Sequence, residues 1–450
     1  MQKIEFLGAA GDEVTGSSYL LTADDGNQVL VDFGMFQGSQ ELEDKNYSPL
    51  LFHPPALQGV FVTHAHLDHS GRLPLLVFGG FLGKIYMTAP TKALIEIILQ
   101  DSARIAEKDL TRHPLYTADE VWKTLNMIQV VEYNKEVSVG SFKATFKDAG
   151  HILGSSSIEL VDTSSNKKQK IVLSGDLGNT PQDIVMPTEY IQSSDFVVME
   201  STYGDSSHPQ EDAKQIIQEE INTIEKTHGV LLIPAFAIQR TQEVLHIIHH
   251  LKKAGKILPG TPIYLDSPMG IDVTAVYLDF LRFCNNEIQA YKDVPFSFEG
   301  LVVINDSQDS KNIVDQPAPK VIIAGSGMMS GGRILHHAIN YLDRETTRVL
   351  FVGYQSEETL GRKILEGAKN VKIDERNIPV RAHIREIKIL SSHADQPKLL
   401  KWLSSMQGVK KVFLTHGEKQ QREVLAEKIK NELKIPSIVL PKNEQVYTFT

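Results

Sequence analysis

Four side chains able to bind a metal ion occur within six positions of the segment F-V-T-H-A-H-L-D-H-S-G, residues 61–71. They are His64, His66, Asp68 and His69. A short apolar strand precedes them, and residues two apart in extended chain point the same way, so His64 and His66 can reach one ion. Asp68 and His69 come with the onset of the next helix and can serve a second ion. Mixed imidazole and carboxylate ligands suit zinc, and manganese is a lesser possibility.

The spacing H-x-H-x-D-H resembles the ligand motif of the metallo-β-lactamase superfamily, whose members carry further ligands at strand ends downstream. His151 lies in D-A-G-H-I-L-G, after a strand that ends at Phe146. Asp176 lies in S-G-D-L-G, after a strand that ends at Leu173. Asp32 ends another strand, where this superfamily has an aspartate that braces the ligand loop. Each residue alone has an ordinary explanation as a turn residue, but their order together favours a metal site.

Three later motifs resemble the β-CASP branch of this superfamily, a group of nucleases. M-E-S-T-Y-G (199–204) is similar to the acidic motif that opens this branch, S-S-H-A-D (391–395) to its second motif and L-T-H-G-E (414–418) to its third. Between them, I-P-A-F-A-I-Q-R and G-S-G-M-M-S-G-G-R look like segments of the inserted cap. The resemblance is to the compact bacterial and archaeal ribonucleases, which are similar to the endonuclease subunit of the cleavage and polyadenylation factor.

This resemblance implies an assignment of ligands and catalytic residues. One zinc ion takes His64, His66 and His151, the other takes Asp68, His69 and His416, and Asp176 bridges the two. Two such ions, roughly 3.5–4 Å apart, share a hydroxide that attacks the phosphate. The expected catalytic residues are Asp68, Glu200 and His393. His393 is the expected proton donor to the leaving ribose oxygen, and Glu200 orients its other ring nitrogen.

The glycine-rich segment 325–333 follows a buried strand and precedes a helix. Backbone N–H groups can approach an anion at a helix N-terminus, and an arginine can bind phosphate oxygens there. The residues expected to contact RNA are Arg240, Ser330, Gly331, Gly332, Arg333 and His337. Plain turn chemistry is the alternative for this loop and for the segment around Arg240. The pair His249 and His250 has no motif around it and is expected to be exposed.

Composition sets the limits on these interpretations. The chain has 450 residues, 41% hydrophobic and 23% charged, which is typical of a soluble protein with a large core. Its formal charge of −10 argues against a generally basic surface but leaves a local basic lining possible. Cys284 is the only cysteine, so no internal disulfide can form, and a cytoplasmic location is expected. No apolar run is long enough to span a membrane, so no membrane partner is predicted.

Two kinds of element pattern must position the candidate site. Short strands between turns fill the N-terminal third, and a helix is predicted over Thr91–Ile105. From about Glu211, helices alternate with short apolar runs, as expected of a parallel α/β unit. The predicted strands of this part are Val230–Ile233, Pro262–Leu265, Leu301–Ile304, Val321–Ile323 and Val349–Val352. No linker separates the two patterns, which indicates that one unit is inserted into the other.

The predicted fold is therefore α/β. It is a four-layer αββα metallo-β-lactamase fold formed by residues 1–205 and 386–450, with a parallel α/β β-CASP cap, residues 206–385, inserted between. The active site is expected in the cleft between them, narrow enough for single-stranded RNA. A homodimer is one expected assembly.

The predicted function is zinc-dependent hydrolysis of phosphodiester bonds in single-stranded RNA, in RNA processing or decay. DNA-processing members of the branch tend to carry valine where this chain has His416, so that residue points to RNA. One alternative is a small-molecule ester, lactone or thioester hydrolase, which shares the ligands but has no use for Glu200, His393 and the long insert. Others are a DNA-directed β-CASP nuclease and a non-catalytic RNA-binding subunit, although such subunits lose metal ligands.

Overall fold

A computed structural model describes residues 1–109, 111–180, 182–291, 294–356 and 359–449. The chain forms two compact units, one of Met1–Ser207 with Ser392–Thr450 and the other of His208–Ser391. The domain boundaries given above stay a prediction.

The strands of the first unit are β1 Lys3–Phe6, β2 Tyr19–Thr22, β3 Gln28–Val31, β4 Leu57–Phe61, β5 Lys84–Thr88, β6 Ile128–Val131, β7 Glu136–Val139, β8 Phe142–Asp148, β9 Ser156–Asp162, β10 Lys170–Leu173, β11 Phe196–Glu200, β20 Lys411–Thr415, β21 Ser437–Val439 and β22 Val446–Thr448. Those of the second are β12 Val230–Pro234, β13 Ile263–Asp266, β14 Leu301–Val303, β15 Lys320–Ala324, β16 Thr347–Phe351, β17 Asn370–Ile373, β18 Arg376–Pro379 and β19 His383–Glu386.

The helices of the first unit are α1 Gln40–Asp44, α2 Leu67–Ser70, α3 Leu75–Phe78, α4 Ala89–Lys108, α5 Ala118–Asn126, α13 Gln396–Ser404 and α14 Lys419–Glu432. Those of the second are α6 Ala213–Thr227, α7 Arg240–Lys253, α8 Pro268–Asp279, α9 Asn286–Gln289, α10 Ser307–Asn312, α11 Arg333–Tyr341 and α12 Leu360–Leu365. Short 3-10 turns cover Lys45–Tyr47, Pro54–Ala56, Leu281–Phe283 and Ile313–Asp315.

The first unit contains two seven-stranded sheets. Their strand orders are β22-β1-β2-β3-β4-β5-β6 and β21-β20-β11-β10-β9-β8-β7. Side chains alternate across β8, so Phe142, Ala144 and Phe146 pack in the core that also holds Val31 and Phe61 of the other sheet. This apolar layer between two sheets is the centre of a β-sandwich.

Helices cover the outer faces of both sheets. Helix α4, which contains the predicted helical segment, buries Leu94 and Ile95 and contacts β5 and β6. On the other side, Trp402 of α13 packs in one cluster with Val197 and Met199 of β11. Strands β10 and β11 are therefore apolar on both faces, and the four-layer αββα arrangement predicted from the sequence is confirmed.

The second unit is built on one parallel sheet of six strands, in the order β14-β13-β15-β12-β16-β19. Leu232, Ile322 and Val349 of the central strands pack with Tyr341 of α11 and Ile364 of α12. Because helices cover such a sheet, its central strands are continuous apolar runs, which is why the sequence revealed them. All five strands predicted for this part are present, within two residues of their predicted bounds.

Among the residues that the structure describes, no helix is long and apolar enough to cross a membrane. The expected exposure of the His249–His250 pair is wrong for its first member. His249 is 6% exposed, and its ring lies beside those of Tyr291 and Phe298.

An ion pair inside the second unit gives a test of its packing. Glu220 of α6 is buried and accepts hydrogen bonds from Arg348 Nη2 at 2.9 Å and Arg385 Nη1 at 3.1 Å. Glu220→Gln leaves Arg348 without its counter-charge, so we expect the free energy of unfolding to fall by roughly 2–3 kcal/mol. Urea denaturation measures this, with Glu219→Gln as the matched control because Glu219 lies at the surface. Equal losses in the two variants would contradict the expectation.

Candidate metal centre

The candidate ligands all follow the carboxyl ends of strands in the first unit. Helix α2 and the turn before it follow β4 and carry four of them, while β8, β10 and β20 are each followed by one more. Those residues are His64, His66, Asp68, His69, His151, Asp176 and His416. Strands from both sheets end at this place, so side chains separated by up to 352 positions converge.

Left-handed residues turn the chain directly after several of these strands. Asp32 follows β3 with φ of 57° and His416 follows β20 with φ of 51°. Gly150 and Gly175, each next to a ligand, have φ of 65° and 55°. Aspartate and histidine are among the non-glycine residues that tolerate this region. The abrupt turn after each strand directs the adjacent side chain into the site.

A first group of donors brings three imidazoles together. His66 Nδ1 lies 3.1 Å from His64 Nε2 and 3.3 Å from His151 Nε2. Asp176 Oδ2 lies 3.5 Å from His64 Nε2 and 3.6 Å from His151 Nε2. The four donor atoms lie within 4.8 Å of one another.

A second group shares Asp176 with the first. His416 Nε2 lies 3.1 Å from Asp68 Oδ2 and 3.7 Å from Asp176 Oδ1. The same Oδ1 lies 3.2 Å from His69 Nε2. Each oxygen of the Asp176 carboxylate therefore faces one group, which is the arrangement of a bridging ligand.

The donor set fits divalent metal ions. With metal–nitrogen bonds of about 2.0–2.1 Å, neighbouring ligand atoms in a tetrahedral site lie about 3.3–3.4 Å apart, close to the separations in the first group. Ring nitrogens that face one another at 3.1–3.3 Å repel unless a proton or a cation lies between them. Asp176 Oδ1 is buried and receives no well-aligned hydrogen bond from the described residues. A cation held by each group would give the facing ring nitrogens and Asp176 Oδ1 a positively charged partner.

Asp32 positions the ligand loop from beneath. Its Oδ1 accepts from the Thr63 N–H at 2.7 Å, and its Oδ2 accepts from Thr63 Oγ1 and lies 2.8 Å from His69 Nδ1. A hydrogen bond on Nδ1 leaves Nε2 of His69 for the site. Such partners of metal-binding histidines fix the ring orientation and the tautomer. The bracing contact expected of Asp32 is present.

Other partners of the ligands were not predicted from the sequence. Thr63 Oγ1 lies 3.1 Å from His64 Nδ1, and Thr202 Oγ1 lies 3.1 Å from His416 Nδ1. The Ser392 carbonyl oxygen lies 3.2 Å from His151 Nδ1. Thr63 and Thr202 lie within two residues of His64 and Glu200, which the motifs identify. That proximity is the feature of the sequence that could have indicated them as partners of the ligands.

Glu200 and His393 form a pair beside Asp176. Glu200 is buried and accepts from the Leu177 N–H at 2.6 Å, while His393 Nδ1 lies 3.3 Å from Glu200 Oε1 and 3.9 Å from Asp176 Oδ2. Burial opposes charge on this ring, but Glu200 and Asp176 outweigh it and raise the pKa of His393. The Nδ1 side of the ring is thus held by carboxylates.

The histidines of the two donor groups differ in their pKa. Burial, together with neighbouring histidines, holds the pKa of His64 and His151 well below the usual value and lowers that of His66 to about 4. Burial also opposes charge on His416, but Asp176 and Asp68 raise its pKa to about 9. The first group therefore offers neutral nitrogens, which is the form that binds a metal.

The residues predicted to contact RNA lie in the second unit and already have protein partners. Arg333 donates to Asp266 Oδ1 at 2.7 Å and to the carbonyl oxygens of Ile304 and Asn305. His337 is wholly buried, with Nε2 2.6 Å from Asp266 Oδ2. A phosphate contact would require these bonds to be exchanged.

The other predicted RNA contacts differ in exposure. Arg240 is buried in an ion pair with Glu243. Ser330 and Gly332 are exposed, and Gly331 is partly exposed. The RNA-binding role of all six residues stays a prediction.

Three features together define a metal-dependent hydrolase of the metallo-β-lactamase type. They are the β-sandwich, the candidate ligands at the ends of its strands, and the carboxylate that faces both donor groups. Family models match three parts of the chain: the metallo-beta-lactamase superfamily at residues 11–201, the Beta-Casp domain at 241–364 and the Zn-dependent metallo-hydrolase RNA specificity domain at 377–441. The chain belongs to the β-CASP ribonuclease family of this superfamily. The family and fold class predicted from the sequence are confirmed.

Similar proteins cover most of the chain. Ribonuclease TTHA0252 of Thermus thermophilus is 37% identical over 92% of this chain and 92% of its own length. Transcription termination factor FttA of Methanosarcina mazei is 30% identical over 99% of this chain and 72% of its own. RNase aCSPSF2 of Saccharolobus solfataricus is 31% identical over 98% of this chain and 84% of its own length. A crystal structure of a protein of unknown function from Enterococcus faecalis V583 shares the fold, with a TM-score of 0.59 at 11% identity and full coverage of both chains.

The Asp32 brace can be tested without disturbing the backbone, because asparagine also tolerates a left-handed φ. Asp32→Asn keeps the shape but loses the charge that orients His69, so we expect zinc affinity to fall about 10–100-fold. Chelator competition measures this. Asp195→Asn, at the opposite end of β11 from Glu200, is the control and should bind zinc normally. Unchanged affinity in Asp32→Asn would show that the brace is dispensable.

Proposed function

We propose that the protein is a metal-dependent ribonuclease that hydrolyses phosphodiester bonds of single-stranded RNA. The observation that carries this proposal is the Glu200–His393 pair directly beside a carboxylate, Asp176, that faces two groups of metal-binding side chains. A hydrolase of small esters needs the metal ligands but has no role for this pair. Relatives named as ribonucleases support the same reaction.

The proposed ligand assignment follows the two groups. His64, His66 and His151 would hold one ion, Asp68, His69 and His416 would hold the other, and Asp176 lies between the two groups and would serve both. The mixed nitrogen and oxygen donors suit two zinc ions, and manganese is the second choice. Bound ions supply Lewis acidity toward the phosphate oxygens and lower the pKa of coordinated water.

The chain's own contribution to bond cleavage is a proton. Glu200 holds the Nδ1–H of His393, so Nε2 is left to face the substrate. As the P–O bond breaks, Nε2 gives its proton to the leaving ribose oxygen and later regains one from solvent. The neighbouring carboxylates raise the pKa of His393, which favours the protonated ring that this role requires.

Three further expectations belong to this proposal. RNA is the proposed substrate rather than DNA, on the resemblance carried by His416. The expected biological role is RNA processing, RNA decay or transcription termination. The last is included because a similar protein is named a transcription termination factor. We also propose a cytoplasmic location, since the single cysteine, Cys284, is buried and forms no disulfide. Assembly as a homodimer stays a prediction.

The direct test compares matched RNA and DNA strands, end-labelled and single-stranded, at equal metal and salt. We expect cleavage of the RNA, much slower cleavage of the DNA, and no cleavage of either after chelation. Metal analysis should give about two ions per chain, as two-metal sites require. His66→Ala and Asp176→Ala should lose both metal and activity. Faster cleavage of DNA, or full activity after chelation, would refute the proposal.

The role of His393 makes a separate prediction. His393→Ala removes the proton donor but no proposed metal ligand, so we expect turnover to fall about 10²–10⁴-fold with zinc content and RNA affinity retained. Glu200→Gln should cause a smaller loss, because the ring keeps a hydrogen-bond partner. His113→Ala, an exposed histidine of the same unit, should leave turnover unchanged. Wild-type turnover in His393→Ala would exclude it as the proton donor.

A further inference from the structure

A cluster of metal-capable side chains lies in the second unit and shares no residue with the centre described above. His246 and His250 stand four positions apart on α7, so one helical turn places both rings on the same face. Their Nε2 atoms are 3.1 Å apart. Glu287, on α9, brings Oε1 to 3.3 Å from His250 Nε2, and the Tyr291 hydroxyl lies 2.7 Å from the same nitrogen.

His250 Nε2 is the atom at which the polar groups of this cluster meet. An imidazole nitrogen carries either one hydrogen or one lone pair, so it makes one good hydrogen bond. Three polar atoms nevertheless lie within 3.3 Å of this nitrogen. A cation among these atoms would contact all of them at once.

The separations match those of a metal site. Nitrogen and oxygen ligands at about 2.0–2.2 Å from zinc lie about 3.3–3.5 Å from one another in a tetrahedron. The pairs His246–His250 and His250–Glu287 are at 3.1 and 3.3 Å, and the donor atoms of the three residues lie within 4.8 Å of one another. Two imidazoles and one carboxylate form a donor set typical of zinc, and the Tyr291 oxygen adjoins it.

We propose that His246, His250 and Glu287 bind a divalent transition-metal ion, of which zinc is the best match, in the cap unit. His246 is wholly buried, which fixes one ligand, while the side chains of His250 and Glu287 are 32% and 56% exposed and leave an entry path. The ligands come from α7 and from a segment more than 35 residues later. An ion held there cross-links the two and stabilises the fold of the cap by binding only its native state.

The test compares wild-type protein with His250→Gln by equilibrium dialysis against micromolar free zinc, followed by metal analysis. We expect the variant to bind one ion fewer per chain. This difference does not depend on how many ions the centre of the first unit holds, so failure of the proposed ribonuclease function leaves the result readable. His336→Gln, a histidine on α11 outside the cluster, should bind as many ions as the wild type. Equal stoichiometry in wild type and His250→Gln would overturn the proposal.

A second measurement covers the case in which His250→Gln misfolds. Glu287 is largely exposed, so Glu287→Gln should fold normally and bind the ion more weakly. In a background that carries Asp176→Ala, added zinc should raise the midpoint of thermal unfolding by about 5 °C, and Glu287→Gln should reduce that rise. The same rise with and without Glu287→Gln would show that zinc stabilises the protein from elsewhere and would refute the site.

Discussion

The buried carboxylate of Asp176 is stable only because cationic partners surround it. Burial alone would favour its neutral form, yet His416 and His69 hold its pKa well below the usual value. Those imidazoles lie on two separate segments, one after β4 and the other after β20. In its buried position the charged carboxylate is stabilised only when both sheets have formed and their strand ends have met. Formation of the centre and folding of the sandwich are therefore coupled, and any bound cation adds its binding energy to the stability of the fold.

The two donor groups differ in the carboxylates that lie near their histidines, and therefore in the pKa of those histidines. The first group contains three histidines, and their burial outweighs the pull of Asp176, and of Asp68 on His66, so that the pKa of each ring is lowered and the rings stay neutral. The second has Asp68 and Asp32 as well, and burial of His69 is outweighed by Asp176 and Asp32, which raise its pKa well above the usual value. A metal entering the second group must displace a proton that the first group does not hold. Occupancy of the two positions is expected to respond differently to pH.

Local sequence patterns predicted the fold, and local spacing identified the candidate metal-binding side chains that the structure brings together. The strands of the second unit are apolar runs, and His64 to His69 stand together in one turn. What escaped prediction depends on partners far away in the chain. The glycines before Arg333 predict a phosphate-binding role, which stays a prediction, but they do not indicate its carboxylate partner, Asp266, which lies 67 positions earlier. His249 was expected to be exposed because the rings that cover it, Tyr291 and Phe298, come more than 40 residues later.

The left-handed backbone at His416 restricts which residues can occupy this position. A β-branched residue is strongly disfavoured at a φ of 51°, because its Cβ substituents clash with the backbone there. Valine therefore cannot simply replace the histidine in this chain. The turn after β20 would have to relax toward negative φ, which would also move the Ser201 N–H that donates to the His416 carbonyl at 3.3 Å. Replacement of His416 by valine and remodelling of the turn are thus coupled, and a chain with only one of the two changes would carry a strained or misaligned loop.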